Sequence, residues 1–205
     1  MESAHPPIAG LLLAAGAGTR HGSPKALRLG ADGVPWLLRS VDALRAGGCS
    51  PVIVVLGARG DEAERLLEPQ GEGRGERVVV HAADWADGVS ASLRAGLTAA
   101  AALERATPVA VAVVPVDVPD LDGAIVARLI GMWPHADSAA SVTPDTLRQA
   151  SFSGRPGHPV VIGRAHWAAL HEQLAGDTGA RPYLVQHGVQ MIDCGDLGTG
   201  VDIDD

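Results

Sequence analysis

Residues 11–27 read LLLAAGAGTRHGSPKAL. An apolar run passes into small residues, then glycines, then two cations, Arg20 and Lys25. Gly16 and Gly18 let the backbone bend sharply and turn N–H groups toward an anion. An ordinary Gly-rich turn after a strand needs neither charge. The two cations therefore point to a loop that holds a polyphosphate. Its nucleotide-binding candidates are Leu13, Ala14, Ala15, Gly16, Ala17, Gly18, Thr19, Arg20 and Lys25. Two common phosphate motifs are excluded. G-x-G-x-x-G fails because His21 stands at its last position. G-x-x-x-x-G-K-[ST] fails because the chain has no Gly-Lys pair.

Outward from this loop, strand-like and helix-like segments alternate. Ile8–Ala14 is a short apolar strand. Leu37, Leu38, Val41 and Leu44 recur at helical spacing within 34–46, and Gly47-Gly48 stops that helix. Strands are expected over 51–56, 78–81, 109–116, 138–143, 159–162 and 189–193. Helices are expected over 61–67, 89–103, 124–132, 165–174 and 181–186. Residues 69–75 and 144–157 read as loops. The Val-rich run at 109–116 suits a strand buried on both faces. This order predicts an α/β fold of three α/β/α layers, Rossmann-like, with a mostly parallel, mixed sheet in a single domain over 1–205. Ligands bind beyond the C-terminal strand ends of such sheets.

Bulk properties agree. The chain has 205 residues, 46% hydrophobic and 20% charged, which favours a packed globular core over disorder. Only six residues are aromatic, so Val, Leu, Ile and Ala must build that core. A net charge of −8 argues against a nucleic-acid partner. No apolar run is long enough to span a membrane, and residues 1–7 do not resemble a signal peptide. Cys49 and Cys194 lie in no metal-type spacing and read as reduced thiols, so a cytoplasmic location is expected.

Asp117 follows the Val-rich run in the string VPVDVP, at the expected ligand edge. It either caps a turn or binds a metal. Asp120 and Asp122 read as solvent-facing or as N-caps for the next helix. Ser90 and Ser92 open the helix that follows Gly88. Free N–H groups there can meet a phosphate or a base edge, with plain capping by Ser90 the alternative. The strings GHPVV at 157–161 and GDTGAR at 176–181 are polar and lie outside regular elements. The chain ends VDIDD, either a solvated tail or a second acidic motif.

The pattern of Leu13, Ala14, Ala15, Gly16, Gly18, Arg20, Gly22 and Lys25 resembles the nucleotidyltransferase signature L-A-A-G-x-G-x-R-x-G-x-x-K. Within that superfamily the chain is most similar to the MobA-like NTP transferases, and among these to the molybdenum cofactor cytidylyltransferases. The resemblance implies catalytic Arg20, Lys25 and Asp117, and Mg²⁺ held by Asp117 and Asp204. The family's motif continues D-I-D-T-P, whereas Asp205 ends this chain, so Asp202 is the fallback ligand. ADWADGVSASL at 83–93 resembles the family's N-x-x-W-x-x-G-x-x-x-S-L and adds Ser90 and Ser92 to the nucleotide site. G-H-P and G-D-x-G-A-R add His158, Asp177 and Arg181 on the acceptor side. Ala15, where guanylyltransferases of the group carry Gly, favours CTP.

The implied reaction moves CMP from CTP to a molybdopterin-type acceptor and releases pyrophosphate. A molybdoenzyme or its chaperone would be the partner. Three alternatives stay open: a guanylyltransferase for another small phosphorylated acceptor, a relative of nicotine-blue-type oxidoreductases, and a non-catalytic nucleotide- or cofactor-binding module.

Overall fold

The computed structural model describes residues 7–18, 22–68, 76–103, 107–132 and 141–201. Thr19, Arg20, His21, Asp202, Asp204 and Asp205, the expected loop at 69–75, and residues 138–140 of an expected strand lie outside them.

Among the described residues seven strands form one sheet: β1 (Ile8–Ala14), β2 (Val52–Leu56), β3 (Arg77–His81), β4 (Ala110–Pro115), β5 (Leu147–Phe152), β6 (Arg155–Gly163) and β7 (Gln190–Asp193). Their spatial order is β3-β2-β1-β4-β6-β5-β7. Only β6 runs against the rest, so the sheet is mixed and mostly parallel, as expected. Among the described residues six helices flank it: α1 (Trp36–Ala46), α2 (Gly60–Leu67), α3 (Val89–Ala101), α4 (Gly123–Leu129), α5 (Trp167–Gln173) and α6 (Arg181–Gln186).

Alternation along the strands sends side chains to two separate cores. Leu12, Val54 and Val114 meet Leu37 and Leu44 of α1 and Ile125 of α4 on one face. Leu11, Val111 and Ile162 meet Leu97 of α3, Leu170 of α5 and Leu184 of α6 on the other. Each large aliphatic side chain buried this way contributes roughly 1.5–3 kcal/mol. Cys49 and Cys194 are both buried and unbridged. Burial pushes the Cys49 thiol up to about 12 and the Cys194 thiol up to about 11. Among the described residues no helix is long and apolar enough to cross a membrane.

One expectation is corrected. The sequence predicts a polar segment over 144–157 between strands at 138–143 and 159–162, yet residues 141–143 have no strand, β5 occupies 147–152 and β6 begins at 155. Two of its polar residues, Arg148 and Ser151, are buried. Arg148 donates from Nη1 to the Leu129 carbonyl at 3.0 Å and from Nε to Gln190 Oε1 at 3.3 Å. A cation thus meets the C-terminal carbonyls of α4, where a helix carries partial negative charge. Burial lowers the Arg148 pKa from its ordinary value. Gln149 lies on the opposite face, in a cleft described below.

The chain leaves β1 to build β2 and β3 on one side, then crosses through α3 to β4 on β1's other side. The strand order reverses between β1 and β4, and in open α/β sheets that is where ligands bind.

Candidate active site

Both sequence-predicted anchors lie at that reversal. Leu13 pairs with Pro115 across β1 and β4, and the Val116 N–H donates to the Leu13 carbonyl at 3.0 Å. The loop after β1 and Asp117 therefore leave the sheet side by side. Lys25, on a short 3-10 turn over 25–27, reaches back to them. Its Nζ lies 2.6 Å from Asp117 Oδ2, with side chains 21% and 17% exposed. This charge pair joins residues 92 positions apart and is the electrostatic centre of the site.

The loop's glycines do different things. Gly18 has φ +59, and a Cβ there would stand 2.1 Å from the Ser23 carbonyl oxygen. Only glycine lets the loop fold back on Ser23. A Cβ on Gly16 would meet nothing within 4 Å. The open space at Gly16 belongs to the cleft.

That cleft holds about 420 Å³ and is lined by Leu13, Ala15, Gly16, Ala17, Gly18 and Lys25 from the first loop and its turn. Trp85, Gly88, Val89, Ser92, Asp117 and Asp177 line its other walls. A second cleft of about 310 Å³ shares Leu13, Val89, Pro115 and Asp177 with it. His158 and Arg181 line this second space together with Gln149. The three acceptor-side candidates therefore converge, and Asp177 stands between the two chambers.

Gly88 makes this junction possible. Its φ is +106, and a Cβ there would lie 2.3 Å from Asp177 Oδ1. The close approach lets Asp177 Oδ1 accept from the Val89 N–H at 3.3 Å, while the Ser90 N–H donates to the Gly176 carbonyl at 3.1 Å. Arg94 holds the same loop through the Leu174 carbonyl at 2.8 Å. The expectation of free N–H groups at the start of α3 is thus corrected: the loop at 176–177 already occupies them. Ser90 is also corrected as a ligand contact. It is fully buried, its Oγ has no partner, and it does not line the cleft, whereas Ser92 does.

Downstream of Asp117, Asp122 caps α4, its Oδ1 accepting from the Ala124 N–H at 2.7 Å. Asp120 instead holds the chain's return from β7. Its Oδ2 accepts from the Thr199 N–H at 2.8 Å and from the Thr199 hydroxyl at 2.5 Å. Residue 199 is therefore tied three positions from Asp117. Trp85 and Gln149 are lining residues that the sequence reading left out of its site. Trp85 was visible within the string at 83–93; Gln149 was hidden by the missed strand.

A crossover cleft at a strand reversal, closed by a Gly loop and a Lys–Asp pair, defines a nucleotide-binding α/β protein. The MobA-like NTP transferase domain matches residues 10–191, and the chain belongs to that family of nucleotidyltransferases. Nicotine blue oxidoreductase of Paenarthrobacter nicotinovorans is 36% identical over 211 aligned positions, covering 97% of this chain and 93% of that protein. A nucleotidyl transferase from Methanothermobacter is 22% identical with a TM-score of 0.72, covering 97% of this chain and 92% of that one. Rv0371c from Mycobacterium tuberculosis H37Rv, in a crystal structure of its manganese complex, is 24% identical with a TM-score of 0.68, covering 97% and 94%. At such identities the two structures establish likeness of fold.

Proposed function

We propose that this protein transfers CMP from CTP to the terminal phosphate of a molybdopterin-type acceptor in the cytoplasm, releasing pyrophosphate. The observation that carries this reading is the Lys25–Asp117 pair in one of two adjoining clefts. One cleft suits a nucleotide, the other an acceptor, and the shared wall brings their reacting ends together.

A hard divalent cation fits Asp117. Its carboxylate offers oxygen donors and already accommodates one cation, the Lys25 ammonium. Among the described residues no group of three or more His, Cys, Asp or Glu could hold a metal. A lone carboxylate still suffices for Mg²⁺, which keeps several waters and leans on substrate phosphates. The manganese complex of Rv0371c supports a divalent cation. We assign Asp204 as the second ligand. It lies outside the described residues, but the Asp120–Thr199 contact brings residue 199 near β4, and five extended residues span about 17 Å.

When bound, Mg²⁺ would neutralise charge on the α-phosphate. An acceptor phosphate oxygen attacks the α-phosphorus in line, forming one P–O bond while the bond to pyrophosphate breaks. The attacking phosphate is already ionised near neutral pH, so no strong base is required. Lys25 turns from Asp117 to the triphosphate, and with Arg20 it holds the departing pyrophosphate. Positioning and charge neutralisation carry the catalysis. A molybdoenzyme or its chaperone would receive the product.

Each of the four NTPs, incubated with Mg²⁺ and molybdopterin cofactor, tests this by pyrophosphate release. CTP is expected to react. Release from GTP alone would leave nucleotidyl transfer standing and end the cytidylyl reading. A second reading, reduction of a nicotine-blue-type pigment, is favoured by the 36% identity to that oxidoreductase. Bleaching of nicotine blue by NADPH, with or without added FAD and without pyrophosphate release, would establish it instead.

A further inference from the structure

The inner cleft has a chemical bias of its own. It lies between the sheet and the helix layer. Val113 and Val160 form the sheet side, Leu93 and Leu184 the helix side, and all four are buried aliphatics. Gln149 supplies the amide among them. Its Nε2 donates to the Gly157 carbonyl at 3.2 Å. A carbonyl can only accept, so this contact fixes which end of the amide is which. The Oε1 atom makes no hydrogen bond within the described residues and is not buried from solvent. It is therefore an oriented acceptor, open to a ligand, beside the aliphatic walls of the cleft. At the rim, Arg181 is exposed and has no hydrogen bond or ion pair among the described residues.

We propose that Gln149 is a specificity-determining residue: its carbonyl oxygen accepts a hydrogen bond from an N–H on the edge of a flat, fused heterocycle, whose anionic substituent meets Arg181. This deepens the acceptor reading given above and rests on it. Aliphatic walls on both sides suit the two faces of a ring. A hydroxylated sugar or polyol phosphate would turn hydroxyls toward those aliphatic walls, although His158, Asp177 and Thr178 line the cleft elsewhere, and each hydroxyl left unpaired is costly. A fused ring buries its faces and keeps its polar atoms at its edge, where Gln149 stands. The volume of about 310 Å³ is at the small end of ligand clefts and suits a two-ring system with a short substituent.

The test uses two fluorescent probes without nucleotide. 6-Carboxypterin carries ring N–H groups and a carboxylate. Naphthalene-2-carboxylate has a similar shape and charge but no N–H. Wild-type protein should bind the pterin more tightly. Gln149→Met, close in size, should weaken 6-carboxypterin roughly ten-fold, about 1.4 kcal/mol, and leave naphthalene-2-carboxylate within two-fold. Gln149→Leu should repeat the pattern, with folding checked by thermal melting. Equal loss of both probes would mean that Gln149 only packs the cleft, and would overturn the proposal. So would unchanged pterin binding in the variants, or no pterin binding to wild type. Pyrophosphate release is read separately. A wild type that turns over CTP while Gln149→Met binds the pterin normally would sink the Gln149 role alone. Gln149-dependent binding without turnover of any NTP would sink nucleotidyl transfer alone.

Discussion

Replacing Lys25 with Met separates the two jobs assigned to this side chain. In the free protein its ammonium lies 2.6 Å from Asp117 Oδ2, and both side chains are at least three-quarters buried. A metal arriving at Asp117 must displace it. A charge-assisted hydrogen bond of this kind is worth roughly 1.5–3 kcal/mol. Asp117 keeps 17% exposure, so water replaces part of the lost contact and the lower end applies. Without the ammonium, Mn²⁺ alone should bind about ten-fold more tightly, since a factor of ten is about 1.4 kcal/mol. The triphosphate loses the same cation, so CTP affinity should fall by about ten-fold. Opposite signs distinguish this from general damage to the site. Free Mn²⁺ is counted by electron paramagnetic resonance at increasing protein concentration, and CTP binding is measured by calorimetry. Unchanged or weaker Mn²⁺ binding in Lys25→Met would refute the idea that Lys25 and a metal compete for Asp117.

Further outcomes follow from the same geometry. Asp117→Asn should abolish pyrophosphate release while keeping measurable CTP binding, because the first loop remains; Asp204→Asn should cost less, since an amide oxygen still coordinates. Near-normal turnover in Asp117→Asn would move the metal site elsewhere. CTP with Mg²⁺ should raise the melting temperature more than GTP, and Ala15→Gly should narrow that difference; a wild type stabilised more by GTP would exclude the assigned base preference. Gly18→Ala should destabilise the fold by roughly 1–3 kcal/mol, as a strained non-glycine residue does, whereas Gly16→Ala should melt normally yet bind CTP poorly. A Gly16→Ala protein with undiminished CTP binding would show that the nucleotide stays clear of this part of the loop.

The sequence made the phosphate side of the site legible because its constraints are local. Gly18 must adopt φ +59, and the strand before it must be apolar on both faces, so the spelling of residues 11–18 is narrow. Asp117 was legible for a related reason: a Val-rich strand buried on both faces leaves few positions for a carboxylate except its end. The two serines of α3 differ for a reason of helix geometry. Positions i and i+2 of a helix point about 200° apart, so Ser90 and Ser92 could not both face one cleft. Ser92 lines it and Ser90 is turned into the protein. Strand β5 was illegible because Arg148 and Gln149 of LRQASF find their partners outside the segment, at Leu129, Gly157 and Gln190. Nothing within the segment announces those contacts, and Gln149 was lost with it.

On the proposed reading, the charge layout also keeps the two clefts from competing for the same phosphate. Helix N-termini attract anions, and α3 opens directly beside both spaces. Its first N–H groups, however, are taken by Asp177 and the Gly176 carbonyl. The Asp177 carboxylate lines both clefts at that point and repels a phosphate from α3. The cations stand elsewhere, Lys25 at the first loop and Arg181 at the rim of the inner cleft. On the proposed reading, the triphosphate is drawn to Lys25 and the acceptor's anionic substituent to Arg181. The two substrates then approach each other along the shared wall of Leu13 and Pro115, which leads to Asp117. In-line transfer requires the attacking oxygen and the leaving pyrophosphate on opposite sides of one phosphorus. On that reading, two chambers joined along Leu13 and Pro115, each with its own cation, would provide that arrangement beside Asp117 without a separate catalytic base.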